Sequence, residues 1–85
     1  MKYEWNPITD EMRKTLDGAP MIRCMVWISY TDEYRNMDVM FARLETKDFR
    51  EFNWCDAFSG DVIASFEDEN VTAWKYVDIP KPYEE

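Results

Sequence analysis

Two stretches of period-two alternation, separated by five polar residues, constrain this chain more than any other feature. Between Met21 and Thr31, the residues Ile22, Cys24, Val26, Ile28 and Tyr30 fall on one face, with Arg23, Met25, Trp27, Ser29 and Thr31 on the other. From Met37 to Leu44, Met37, Val39 and Phe41 alternate with Asp38, Met40 and Ala42. Alternation of this kind belongs to strands, whose successive side chains point to opposite faces. Asp32-Glu33-Tyr34-Arg35-Asn36 is polar enough for a connecting turn, so the two runs are expected to pair as an antiparallel hairpin.

The flanking segments are shorter. From Pro7 to Asp17, Ile8, Met12 and Leu16 recur every fourth position, the spacing of one helical face. Asn6 suits the N-cap and Pro7 the first helical position, with Gly18 and Pro20 as the stop. The competing reading is a loop with one helical turn starting at Thr9, backed by Asp10 and Glu11. Residues 48–58 fit either a helical face of Phe49, Phe52, Cys55 and Phe58 or an alternating set of Phe52, Trp54 and Phe58, and a strand or irregular segment is favoured. Ser59-Gly60-Asp61 marks a turn, Val62 to Phe66 a strand, Glu67-Asp68-Glu69-Asn70 a turn and Val71 to Ile79 a last strand. The tail Ile79-Pro80-Lys81-Pro82-Tyr83 is expected to be extended, because each Pro fixes its own φ and restricts the residue before it. The expected fold is α+β, a short N-terminal helix packed on a small antiparallel sheet of about four or five strands. The 85 residues make a single domain, 1–85, whose small core is expected to hold Trp5, Trp27, Trp54 and Trp74.

Several function classes are disfavoured by what is missing. The chain has no His, hence no imidazole base or imidazole metal ligand. Cys24 and Cys55 are too few for a structural zinc site and are expected as buried free thiols in a reducing compartment. Two glycines, Gly18 and Gly60, cannot build a phosphate-cradling loop or a dinucleotide fingerprint. The acids do not follow the calcium-loop pattern of alternating oxygens around a central Gly, and no carboxylate pair stands out for glycoside chemistry. No enzyme activity, cofactor or metal is therefore expected. The N-terminus lacks the apolar segment of a secretory signal and no run is long enough to span a bilayer, so the protein is expected in the cytoplasm.

Charge is segregated along the chain. The net charge is −8, but residues 1–50 hold nine acids and eight bases, whereas residues 51–85 hold nine acids and only Lys75 and Lys81. Arginine does not recur after Arg50, so beyond it Glu51, Asp56, Asp61, Glu67, Asp68 and Glu69 meet no base until Lys75. A single-sign field repels nucleic acid and anionic membranes, and it steers a basic partner. These six are the expected partner-binding residues, and the expected partner is a host protein with a basic nucleic-acid-binding surface. Residues two apart on a strand are about 6.6–6.8 Å apart, close to two rises of about 3.4 Å along a DNA strand. Glu67 and Glu69, if extended, would imitate one such step. The bland reading is that the acids are merely solvated turn residues of an accessory interaction module. A final strand left unprotected could also pair with a second copy across a two-fold axis.

The two ends of the chain carry a family resemblance. Trp5-Asn6-Pro7-Ile8, Ala19-Pro20 and Met25-Val26-Trp27-Ile28-Ser29-Tyr30, together with Val71-Thr72-Ala73-Trp74 and Ile79-Pro80-Lys81-Pro82-Tyr83-Glu84, resemble the phage and prophage domains grouped as domain of unknown function 551. Ala73 stands where that family commonly has His. The resemblance implies a phage or prophage accessory origin and a small non-enzymatic domain. With the charge pattern, it leads to the expectation of an inhibitor of a host nucleic-acid-binding protein, of anti-CRISPR or anti-restriction type.

Overall fold

The computed structural model of the protein describes residues 4–77, Pro82 and Tyr83. In chain order its elements are β1 (Asn6–Pro7), α1 (Asp10–Thr15), β2 (Met25–Thr31), β3 (Met37–Thr46), β4 (Phe52–Asp56), β5 (Val62–Ser65) and β6 (Val71–Tyr76). All six strands join one antiparallel sheet in the order β1-β6-β2-β3-β4-β5. The alternating runs pair as expected, Trp27 opposite Phe41 and Val26 opposite Ala42. Residues 52–56 resolve the ambiguous segment as a strand.

The sheet coils. Ser65 is in register with Asn53, and Val71 with Tyr30. On a flat sheet these two residues would lie about 30 Å apart, across four strand spacings of about 4.8 Å and about seven residues of about 3.3 Å. The chain between them spans at most about 22 Å even if fully extended, and residues 66, 67, 69 and 70 are in turns. Curling brings the β4–β5 end of the sheet towards its β6 end. The concave side then closes on a core of Val26, Ile28, Leu44, Trp54 and Val71, all fully buried, with Trp74, Phe66, Ala42 and Ala64 packed among them. Each such large apolar side chain contributes about 1.5–3 kcal/mol relative to exposure.

The expected α+β arrangement, with a helix over Pro7–Asp17 packed on four or five strands, is overturned. The molecule is a small six-stranded sheet with a single helix of six residues, of which only Met12 is buried. The physical reason lies at the N-terminus. Asn6 and Pro7 extend as a strand beside Trp74 and Ala73, so the helix cannot begin there. Thr9 caps it instead, its Oγ1 accepting the Met12 N–H at 3.1 Å, and the left-handed Leu16 (φ 63°) ends it. The last strand, expected to reach Ile79, ends at Tyr76, with Val77 already outside it. Residues 78–81, and with them the tail through Lys81, lie outside the described residues. Pro82 and Tyr83 are exposed.

Candidate functional site

Four connections are built around an aspartate, and this decides the role of several acids. Asp32 Oδ1 accepts the N–H groups of Tyr34 and Asn36 (2.8 and 2.9 Å). Asp48 accepts those of Arg50 and Glu51 (2.9 and 3.3 Å), Asp56 those of Phe58 and Ser59 (2.8 and 2.9 Å), and Asp68 that of Asn70 (2.8 Å). A short carboxylate satisfying donors two or three residues on is the usual device of a tight turn. Backbone donors also hold three carboxyls below the ordinary aspartate range: Asn36 on Asp32, Arg50 then Glu51 on Asp48, and Ser59 then Phe58 on Asp56.

All six expected partner-binding acids fall on the β4–β5 hairpin or the segments flanking it. Asp56 ends β4 and Asp61 immediately precedes β5, the two flanking the turn, and Glu51, Glu67, Asp68 and Glu69 lie at the opposite end. The two groups are separated by the length of β4, about 16 Å. No Lys or Arg occurs between Glu51 and Trp74, so the hairpin at this border of the sheet carries acid at its two ends and no base of its own. Asp56 and Asp68 are committed to their turns. Glu51, Asp61, Glu67 and Glu69 are exposed, and among the described residues their carboxylates form no ion pair or hydrogen bond. At the Glu67 end bases stand nearby: Glu51 and Glu67 border a cleft of about 580 Å³ that Arg13, Lys14 and Arg50 also line. Glu67 and Glu69 lie in a turn rather than a strand, so the expected two-residue phosphate spacing is not formed there.

A second surface went unassigned at the sequence level. Residues opposite one another in an antiparallel pair share a face, so the convex side of the sheet collects Met25, Trp27, Met37, Val39, Phe41 and Lys75. Trp27 and Phe41 meet edge to face, with centroids 4.3 Å apart, and Phe58 stacks on Phe41 at 5.5 Å. Phe58 and Met37 are each 80% exposed and Val39 53%. The signal was present in the apolar residues occupying both parities of Met25–Ile28 and Met37–Ala42. Trp54 and Trp74 are core residues, but Trp5 is exposed beside Lys75 and Trp27 is half-buried on the convex side, which corrects the expectation that all four tryptophans fill the core.

Cys24 and Cys55 are free thiols, the first half-buried and the second buried. Burial, then the charge of Glu45, pushes the Cys55 thiol up. Among the described residues no three Cys, Asp or Glu side chains converge as metal ligands, and no helix is long and apolar enough to cross a membrane. Comparison with protein-family models, with curated proteins and with solved structures finds no match.

Proposed function

We propose that the protein acts by binding rather than catalysis, as a cytoplasmic phage or prophage accessory protein that occupies the basic nucleic-acid-binding surface of a host protein, such as a CRISPR effector or a restriction component. The observation that supports this reading is the acidic β4–β5 hairpin. Four carboxylates, Glu51, Asp61, Glu67 and Glu69, stand at its two ends with no ion pair or hydrogen bond among the described residues; the hairpin itself carries no base, and Arg13, Lys14 and Arg50 stand only at its Glu67 end. Opposed fields of this kind speed encounter and suppress wrong partners, and their effect falls as salt screens them. Imitation of DNA would then reside in the overall field, since the turn at Glu67–Glu69 gives no phosphate-like step.

The test is affinity capture from host lysate on the immobilised protein, with salt-step elution and identification of the retained proteins. A nucleic-acid-binding protein should be retained at low salt, released at high salt and displaced by duplex DNA. The variant E51Q/D61N/E67Q/E69Q should fail to retain it. Equal retention by that variant would overturn the proposal and leave these acids as solvated turn residues.

A further inference from the structure

Strand β3 is longer than its neighbours, and half of one side has no partner among the described residues. Its register with β4 runs from Ala42 opposite Asp56 to Thr46 opposite Phe52, and one further bond, from Ala57 N–H to Phe41 C=O at 3.0 Å, ends that ladder. In an antiparallel pair the residues that exchange both bonds recur at every second position. Phe41 points its backbone towards β4, so Val39 and Met37 do the same, where β4 no longer reaches. Among the described residues Met37 N–H, Met37 C=O and Val39 C=O have no hydrogen-bond partner. The Val39 N–H is taken by the neighbouring Asp38 carboxylate at 2.9 Å.

We propose that Met37–Met40 is a docking edge for an extended basic segment of the partner protein, which adds a strand beside β3. This rests on the reading that the partner is basic. An added strand gains its affinity from backbone bonds and its selectivity from alternate side chains. On the convex side its apolar residues would meet Met37, Val39 and the exposed Phe58 ring. At the intervening position a Lys or Arg would meet Asp38. At one end of the edge the turn sets Asp32 and Glu33 against one base, Arg35, and at the other Asp56 and Asp61 add acid with no base beside them in the turn. No Lys or Arg lies between Asn36 and Met40. Asp38 also acts as a selector. While it holds the Val39 N–H, the edge lacks one donor, and a cation that draws the carboxylate away returns that donor to the incoming strand. A second copy of this chain is a poor occupant, because two-fold pairing centred on this edge sets Asp38 against Asp38 between two bodies of net charge −8.

The experiment titrates the ¹⁵N-labelled full chain with a short blocked peptide of alternating Val and Lys, and in parallel with its Val/Glu counterpart. The Val/Lys peptide is expected to shift the amides of Met37–Met40 and to slow hydrogen exchange at Met37 and Val39, while the Val/Glu peptide leaves them unchanged. V39P, which removes the outward donor, should weaken the Val/Lys peptide about tenfold or more. V39K tests the same edge with its backbone intact and should weaken it similarly. D38N should weaken it about fivefold, the upper range of an exposed ion pair. Shifts confined to Glu51, Asp61, Glu67 and Glu69 would overturn the docking edge and leave the acidic-surface reading standing. Absence of binding by the Val/Lys peptide would also overturn it, with the lysate experiment deciding the function separately. Concentration-dependent shifts at Met37–Met40 without peptide would assign the edge to a second copy and likewise overturn it.

Discussion

Trp54 and Phe66 pack with ring centroids 5.6 Å apart, although one lies in mid-strand and the other just past the end of the next strand. Trp54 also sits opposite Leu44 and Ala64 in the ladder and is fully buried. It is the largest side chain joining the β3–β4–β5 part of the sheet to the rest of the core. Trp54→Ala is expected to cost about 3–5 kcal/mol, more than a domain of this size can readily lose. Trp54→Phe should cost less, because it keeps most of the ring contact and removes an indole N–H that has no partner among the described residues. Chemical denaturation followed by circular dichroism measures both.

Stability should fall in acid through identifiable carboxyls. Asp32, Asp48 and Asp56 have folded-state values below the ordinary 3.8, so the unfolded chain takes up their protons first. Their contribution is complete above the unfolded value and is lost as pH falls through the lower folded values. The thermal midpoint should therefore drop as pH is lowered below about 4. In D32N/D48N/D56N the midpoint should start lower and fall less steeply. An equally steep fall in that variant would place the acid sensitivity elsewhere.

Two turn positions should respond in opposite directions. Phe49 is exposed and held at φ 60°, a conformation that costs a bulky residue about 1–2 kcal/mol. Phe49→Gly should raise the thermal midpoint. Gly60 has φ +78° with open space around its Cα, so Gly60→Ala meets no clash and carries only the backbone penalty, about 1 kcal/mol of destabilisation. Opposite signs for the two substitutions are the expected result of paired thermal melts.

The two thiols should differ in reactivity. Cys55 is buried with its thiol pushed up, whereas Cys24 is only half-buried. A thiol-directed reagent at neutral pH should label Cys24 in the native protein and reach Cys55 at a comparable rate only after unfolding. Peptide mapping distinguishes the two sites.

The strands legible in the sequence were those whose alternation is driven by burial on one side. Val26 and Ile28 against Met25 and Trp27, and Ala42 and Leu44 against Phe41 and Arg43, announce β2 and β3. β6 was legible from Val71 to Trp74. What local pattern could not reveal was tertiary. Asn6–Pro7 becomes a strand only because Trp74 and Ala73 lie beside it, which overrides the cap-and-proline signal for an earlier helix start. The acidic hairpin was visible as composition, but that Asp56 and Asp68 serve their own turns needed the bond lengths. The free edge of β3 was invisible, since it depends on where β4 stops rather than on any residue within β3.

The strand order also sets the sequence in which the molecule can assemble. β2, β3, β4 and β5 are joined to their neighbours by short turns and can pair as soon as each is made, a local and therefore fast process. β6 must travel to the far side of β2, and only then does Asn6–Pro7 acquire its partner. The first strand synthesised is thus the last to be fixed, and β2 keeps one side open until the C-terminal strand arrives.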